Sequence, residues 1–352
     1  MDTNFSQKRN VLTPELDALI TALPKAELHI HLEGSIRPKT LLLLAQRNGI
    51  DLGCKDDDTL RALYSYRDFS HFIKLYGVLT AALRKPEDFM LITEELGLEA
   101  AQQGTHYLEV TFSAAIHHRR KGIPFDEMMD AIAEGAAAVR QQVGVEMRFI
   151  LDHVRGYSLD YCQQTAEWCV RGREKGVVAL GLGGYEPDWP ASLYAEAIHW
   201  VQSHGLPFVP HAGEAVGPEG IWDALQFNPP RIGHGFRAVE DAILVDTLRE
   251  REITLEICPT SNICTGCVQR WEDHPLRQLW DANVLVTINS DDPPMFNTTL
   301  LDEYRIATTK FGFSLKELAR LSLNAAHCSL LPPEKRMRLV ETFQAEIERL
   351  GL

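Results

Sequence analysis

No stretch of this chain approaches the ~18 consecutive apolar residues that a membrane span requires, so no membrane-crossing helix is expected. Basic clusters are equally scarce. The 35 Lys and Arg stand against 49 Asp and Glu, a net charge of −14, which argues against a partner gripped through its phosphates, such as DNA or RNA. A small molecule is the expected partner, and nothing in the sequence bears on oligomeric state. Met1–Asn10 lacks the apolar core of a signal peptide, which points to the cytosol. Cysteine is sparse and irregular: seven residues, at 54, 162, 169, 258, 264, 267 and 328. An odd number without pairing periodicity suits buried thiols in a reducing compartment better than a disulfide frame. Cys258, Cys264 and Cys267 have only His274 nearby and lack the second pair that structural zinc usually takes. A phosphate-cradling glycine turn is missing too. Gly181-Leu-Gly-Gly184 has the wrong spacing and follows a fourth strand, not a first.

What the chain does have is alternation. At 352 residues and 45 % hydrophobic it can bury a large core, and no linker, repeat or low-complexity tract divides it. Strand-type runs fall at 26–32, 105–112, 146–153, 177–183, 207–212, 231–234, 254–259 and 283–289, and helical patterns such as 125–142, 158–174, 191–204 and 238–250 lie between them. Eight strands alternating with helices predict one α/β domain over 1–352, a (β/α)₈ TIM barrel. Extra helices are expected at 14–23, with Thr13 as N-cap and Pro14 at the first position, across an insertion at 58–103, and from about 314 to 350. The insertion carries Phe69, Phe72 and Tyr76 at helical spacing. Two readings fit: a stripe facing the core, or a lid over the catalytic face that makes Phe69 and Phe72 substrate contacts.

A barrel keeps its chemistry at the C-terminal ends of its strands. The first strand ends in His29-Ile-His31, whose imidazoles share one face because a strand repeats every two residues. The fifth ends in His211-Ala-Gly-Glu214, the sixth in His234, the eighth in Asp291-Asp292. Three histidines and a carboxylate suit one zinc ion with a position open for water, whose pKa falls to about 7. Glu214 is placed to protonate the attacked group, and His234 to orient the hydroxide or take its proton. Asp292 is free to bond substrate, or to orient a ligand. The fourth strand ends without a lysine to be carbamylated between two metals, so one metal is expected.

At these residues the chain resembles the adenosine deaminase family of the amidohydrolase superfamily. The matching pieces are Pro24-Lys-Ala-Glu-Leu-His-Ile-His-Leu-Glu-Gly34, His211-Ala-Gly-Glu214, Arg231-Ile-Gly-His-Gly235, Glu256-Ile-Cys-Pro-Thr-Ser-Asn262 and Asn289-Ser-Asp-Asp-Pro293, in the family's order. The resemblance implies one Zn²⁺ on His29, His31, His211 and Asp291. It makes Glu214 the proton donor to purine N1, His234 the group that positions and deprotonates the water, Asp292 the partner of N7 and Gly184 that of N3. Attack at C6 then expels ammonia. The other zinc deaminase class, with Pro-Cys-x-x-Cys, does not fit: Cys264-Thr-Gly-Cys267 lacks the proline. Typical family members acting on adenosine carry Asp where this chain has Glu33, and usually Arg where it has Thr111. Glu33 is shared with the adenine enzymes, whereas Asp292-Pro-Pro-Met-Phe-Asn-Thr-Thr-Leu300 and Tyr304 are similar to the nucleoside branch. Adenosine is the first expected substrate, with Glu33 at its ribose end. A 5′-modified nucleoside such as 6-amino-6-deoxyfutalosine, or free adenine, is the alternative. A silent purine nucleoside-binding barrel and a two-metal hydrolase are the readings from other classes.

Overall fold

A computed structural model describes the chain apart from residues 1–10, 55–58, 60–63 and 65–68, and the side chains of Phe69 and Ser70. Eight short strands form a single parallel sheet in sequential order. They are β1 (Lys25–His31), β2 (Thr105–Phe112), β3 (Glu146–Val154), β4 (Val177–Gly183), β5 (Phe208–Ala212), β6 (Arg231–His234), β7 (Thr254–Ile257) and β8 (Val286–Ile288). Nearly every strand residue is buried, as expected where helices cover the outside and side chains fill the inside. The sheet closes through a single bridge between Ile30 and Asp291. His31 N–H donates to Asp291 O at 2.9 Å, and Asp291 N–H donates to His29 O at 3.1 Å. Below the bridge, side chains replace the ladder: Leu28 N–H meets Asn289 Oδ1 at 2.9 Å and Ser290 N–H meets Glu27 Oε1 at 2.7 Å.

The expected barrel is therefore observed. β7 stops at Ile257 because Pro259 opens a short helix, Pro259–Cys264, and β8 is shorter than its apolar run. Thr13 caps the helix Pro14–Ala22 as expected, its Oγ1 accepting from Leu16 N–H at 3.2 Å. The segment between β1 and β2 divides into parts. A helix that the sequence reading did not single out, Pro38–Asn48, follows β1 directly and ends at Gly49 with φ +67°. Helix Phe69–Ala82 lies over the C-terminal ends of the strands, with Tyr76 near His31. Helix Pro86–Gln102 belongs to the outer ring, packed on β2 and on helix Phe125–Val143 through a face of Phe89, Ile92, Leu96 and Ala100. The tail forms helices Leu315–Cys328 and Pro333–Arg349, and Ala325, Ala326, Val340 and Phe343 cover Ala26, Leu28 and Tyr107. Among the described residues no helix is long and apolar enough to cross a membrane.

Candidate active site

The period of β1 brings His29 and His31 to one mouth of the barrel, where His211 from β5, His234 from β6 and Asp291 just after β8 meet them. Two of these residues sit in the left-handed region, His234 at φ +60° and Asp291 at φ +66°. Such strain in non-glycine residues persists only where surrounding contacts impose it, and it gathers at functional sites. Gly233 makes room for the first ligand, since a Cβ there would lie 2.7 Å from His29 Cε1. Gly34 does the same for Asp292, with a Cβ falling 1.5 Å from Oδ1.

His31 Nε2 lies 3.2 Å from His211 Nε2 and 3.3 Å from Asp291 Oδ1, and His29 Nε2 lies 3.6 Å from the same oxygen. A tetrahedral ion with bonds of about 2.0–2.2 Å spaces its donors about 3.3–3.6 Å apart, and these three separations, 3.2–3.6 Å, are close to that. His29 Nε2 is buried without a hydrogen-bond partner, as a nitrogen reserved for a metal would be. Its other nitrogen faces Glu256 Oε2 at 3.0 Å, the usual orienting contact of a ligating histidine. Glu256 is in turn held by Arg231 Nε at 2.5 Å, and the same guanidinium bonds Glu109 and, at 2.6 Å, Cys328 O. Ser261 Oγ donates to Asp291 Oδ2 at 2.7 Å. Two further groupings bring donor atoms within reach of one ion: His29 with His211 and His234, and His29 with Cys258 and Asp291, the latter a weaker donor set because burial pushes the Cys258 thiol well above its ordinary pKa.

The electrostatics of this cluster ask for a cation. Burial disfavours charge on His29 and His31, yet facing carboxylates outweigh it, raising them to about 10 and about 9. The neighbouring carboxyls separate. Despite burial, His29 and His31 hold Asp291 well below its usual range, while burial and then Asp291 push Asp292 well above it. Burial, followed by repulsion from Asp291 and Glu186, raises Glu214 to about 8. Burial lowers His234 to about 3. The mouth thus presents one carboxylate held below its usual range, Asp291, beside two pushed above it, Asp292 and Glu214, a division suited to acid catalysis.

Glu214, His234 and Asp292 join this cluster, with His234 Nε2 3.7 Å from Glu214 Oε2. Gly184 lies at the tip of β4 with φ +86°, where a Cβ would press on Val154 Cγ1 at 3.0 Å. Glu33 is fully buried and faces protein donors: His117 Nε2 at 2.8 Å, Ser113 N–H at 3.2 Å and Tyr76 OH at 3.4 Å. Phe72 is buried and stacks on Phe296 with centroids 5.3 Å apart. The side chain of Phe69 lies outside the described residues. Sequence reasoning passed over Glu186, whose carboxylate accepts the backbone N–H groups of Gly213, Glu214, Ala215 and Val216 at 2.7–3.1 Å and so fixes the loop carrying Glu214. Its only sequence signal is a carboxylate two residues after Gly184.

The profile of the adenosine deaminase family matches residues 24–346. An aminodeoxyfutalosine deaminase of Streptomyces avermitilis is 37 % identical over 337 residues, 94 % of each chain. An adenine deaminase of Agrobacterium fabrum is 36 % identical over 319 residues, covering 90 % of this chain and 97 % of its own. In crystal structures, an adenine deaminase from Arthrobacter aurescens superposes with a TM-score of 0.88 at 28 % identity, over 93 % of this chain and 99 % of that one. The strand-tip cage, the order of its motifs and these relatives agree: the chain belongs to the adenosine deaminase family.

Proposed function

We propose that this protein is a zinc-dependent aminohydrolase that replaces the C6 amino group of a purine by oxygen, releasing ammonia. The observation that carries this is the convergence of His29, His31, His211 and Asp291, with donor atoms 3.2–3.6 Å apart, beside the buried Glu214. When bound, zinc supplies a Lewis acid that brings the pKa of water to about 7. Glu214 holds its proton at neutral pH and gives it to the ring nitrogen next to the attacked carbon. Asp292, whose carboxyl is pushed above its usual range by burial and by Asp291, offers an O–H to N7, which can only accept. His234 aims Nε2 at the attacking water, and the Gly184 backbone N–H is the donor for N3.

For the group on N9, adenosine is the first substrate to try, on the strength of the Asp292–Leu300 segment and Tyr304. A 5′-modified adenosine is a second reading, favoured by the 37 % identical relative named for aminodeoxyfutalosine, and free adenine follows the 36 % identical one. Initial rates of the ultraviolet change from aminopurine to oxopurine, on zinc-loaded protein with all three compounds, test this. Turnover of any one supports C6 deamination, and the highest kcat/KM assigns the substrate. Flat traces with all three, from protein of full metal content, would overturn the assignment.

A further inference from the structure

His234 differs from His29 in what faces its second nitrogen. His29 Nδ1 meets a carboxylate, an obligate acceptor, so its proton sits on Nδ1 and Nε2 keeps a lone pair. His234 Nδ1 lies 3.2 Å from the side-chain amide of Asn262. An amide can present either end, and the surrounding network decides which. Here that network begins at a group with no second orientation. The backbone N–H of Leu276 donates to His274 Nδ1 at 3.2 Å. His274 is buried against Phe236 and Phe311, surroundings that keep an imidazole neutral. A neutral ring that accepts at Nδ1 carries its proton on Nε2. That N–H lies 3.2 Å from Asn262 Oδ1, which accepts it. Asn262 Nδ2 is then the end turned to His234, and it donates to Nδ1. His234 in its neutral form must therefore hold its proton on Nε2, the nitrogen that faces Glu214 and Asp291 at 3.7 and 3.9 Å.

We propose that Leu276, His274 and Asn262 form a relay fixing His234 as its Nε2–H tautomer, so that His234 meets the attacking oxygen as a hydrogen-bond donor and is neither a metal ligand nor a base in the resting enzyme. The identity of that oxygen rests on the deaminase assignment above, whereas the tautomer rests on the contacts alone. Asn262 and His274 are positioning residues that act through His234. Both belong to stretches whose chemistry the zinc cage leaves unused: Asn262 closes the motif that begins at Glu256, and His274 lies beyond the cysteines.

The test is the tautomeric state of each ring in ¹⁵N-histidine-labelled, zinc-loaded protein, read from two-bond ¹H–¹⁵N correlations. His234 and His274 should both show a bare Nδ1 and a protonated Nε2. Asn262→Asp substitutes a group that only accepts, so the His234 proton should move to Nδ1. Its kcat should then fall by about 10²-fold or more, the scale of a misdirected proton carrier, with KM and zinc content kept. His274→Gln retains an N–H for Asn262 and should keep the wild-type tautomer at His234, whereas His274→Leu should not. A wild-type His234 with its proton on Nδ1, or with Nε2 bound to zinc, overturns the proposal, as does an Asn262→Asp variant with parental kcat. The wild-type spectrum decides even where a variant fails to fold. It needs no turnover, so the expected tautomers in a protein that deaminates no purine would leave the relay standing and the assigned reaction refuted.

Discussion

In the proposed reaction Glu214 carries the decisive proton. Burial raises it to about 8, so the acid form is present below that pH and lost as pH rises through it. kcat/KM should therefore fall above about pH 8, and a pH–rate profile checks the limb. Glu214→Gln should keep full zinc by metal analysis while kcat drops by about 10²–10⁴-fold, the usual contribution of a positioned acid. Arg231 is a different case. It is buried between Glu109 and Glu256, and Arg231→Met would strand both carboxylates. A loss of about 3–5 kcal/mol in denaturant unfolding is expected, with weaker zinc binding because Glu256 orients His29. The imidazoles and aspartates were readable in the sequence because each ends a strand-like run. Glu186, Glu109 and the role of Arg231 were not, because their partners come from other strands and no local pattern encodes that meeting.

Helix Phe69–Ala82 shows where local pattern runs out for a whole element. Its aromatic spacing was legible, but two readings were open to it, a stripe facing the core and a lid over the catalytic face. The structure fastens it at the mouth from two sides. Tyr76 OH reaches Glu33 Oε2, and Lys121 Nζ donates to Thr80 O, to Leu83 O at 2.7 Å and to His117 Nδ1 at 3.0 Å. His117 passes the contact on to Glu33, so one chain of bonds links the helix's C-terminal end to the loop after β1. Lys121→Met should loosen this helix selectively. Loss of a charged cap worth about 1–2 kcal/mol predicts amide exchange roughly 5–30-fold faster in 69–82, with the strands unchanged. Uniform acceleration across the barrel would count against that fastening. Helix Pro86–Gln102, by contrast, has a regular apolar face, and its helical character could be read without knowing its neighbours.

Across the whole molecule the barrel was legible, because eight apolar runs in alternation with amphipathic helices leave few ways to bury them together. The metal adds a global term. On the proposed assignment it would be held by residues of β1, β5 and the end of β8, so zinc at 100 times its Kd should stabilise the fold by about 2.7 kcal/mol. A chelator should lower Tm accordingly, and titration should end near one ion per chain; two would contradict a mononuclear cage. The seam of the barrel carries a final consequence. The bridge that joins the last strand to the first is made by the backbone of His29, His31 and Asp291, the same residues whose side chains meet at the barrel mouth. During synthesis His29 and His31 leave the ribosome more than two hundred residues before Asp291, and chains emerge at about 5–20 residues per second. The cage therefore cannot assemble for at least about ten seconds. A chain truncated or stalled before Asp291 lacks one of the proposed ligands and should retain zinc poorly.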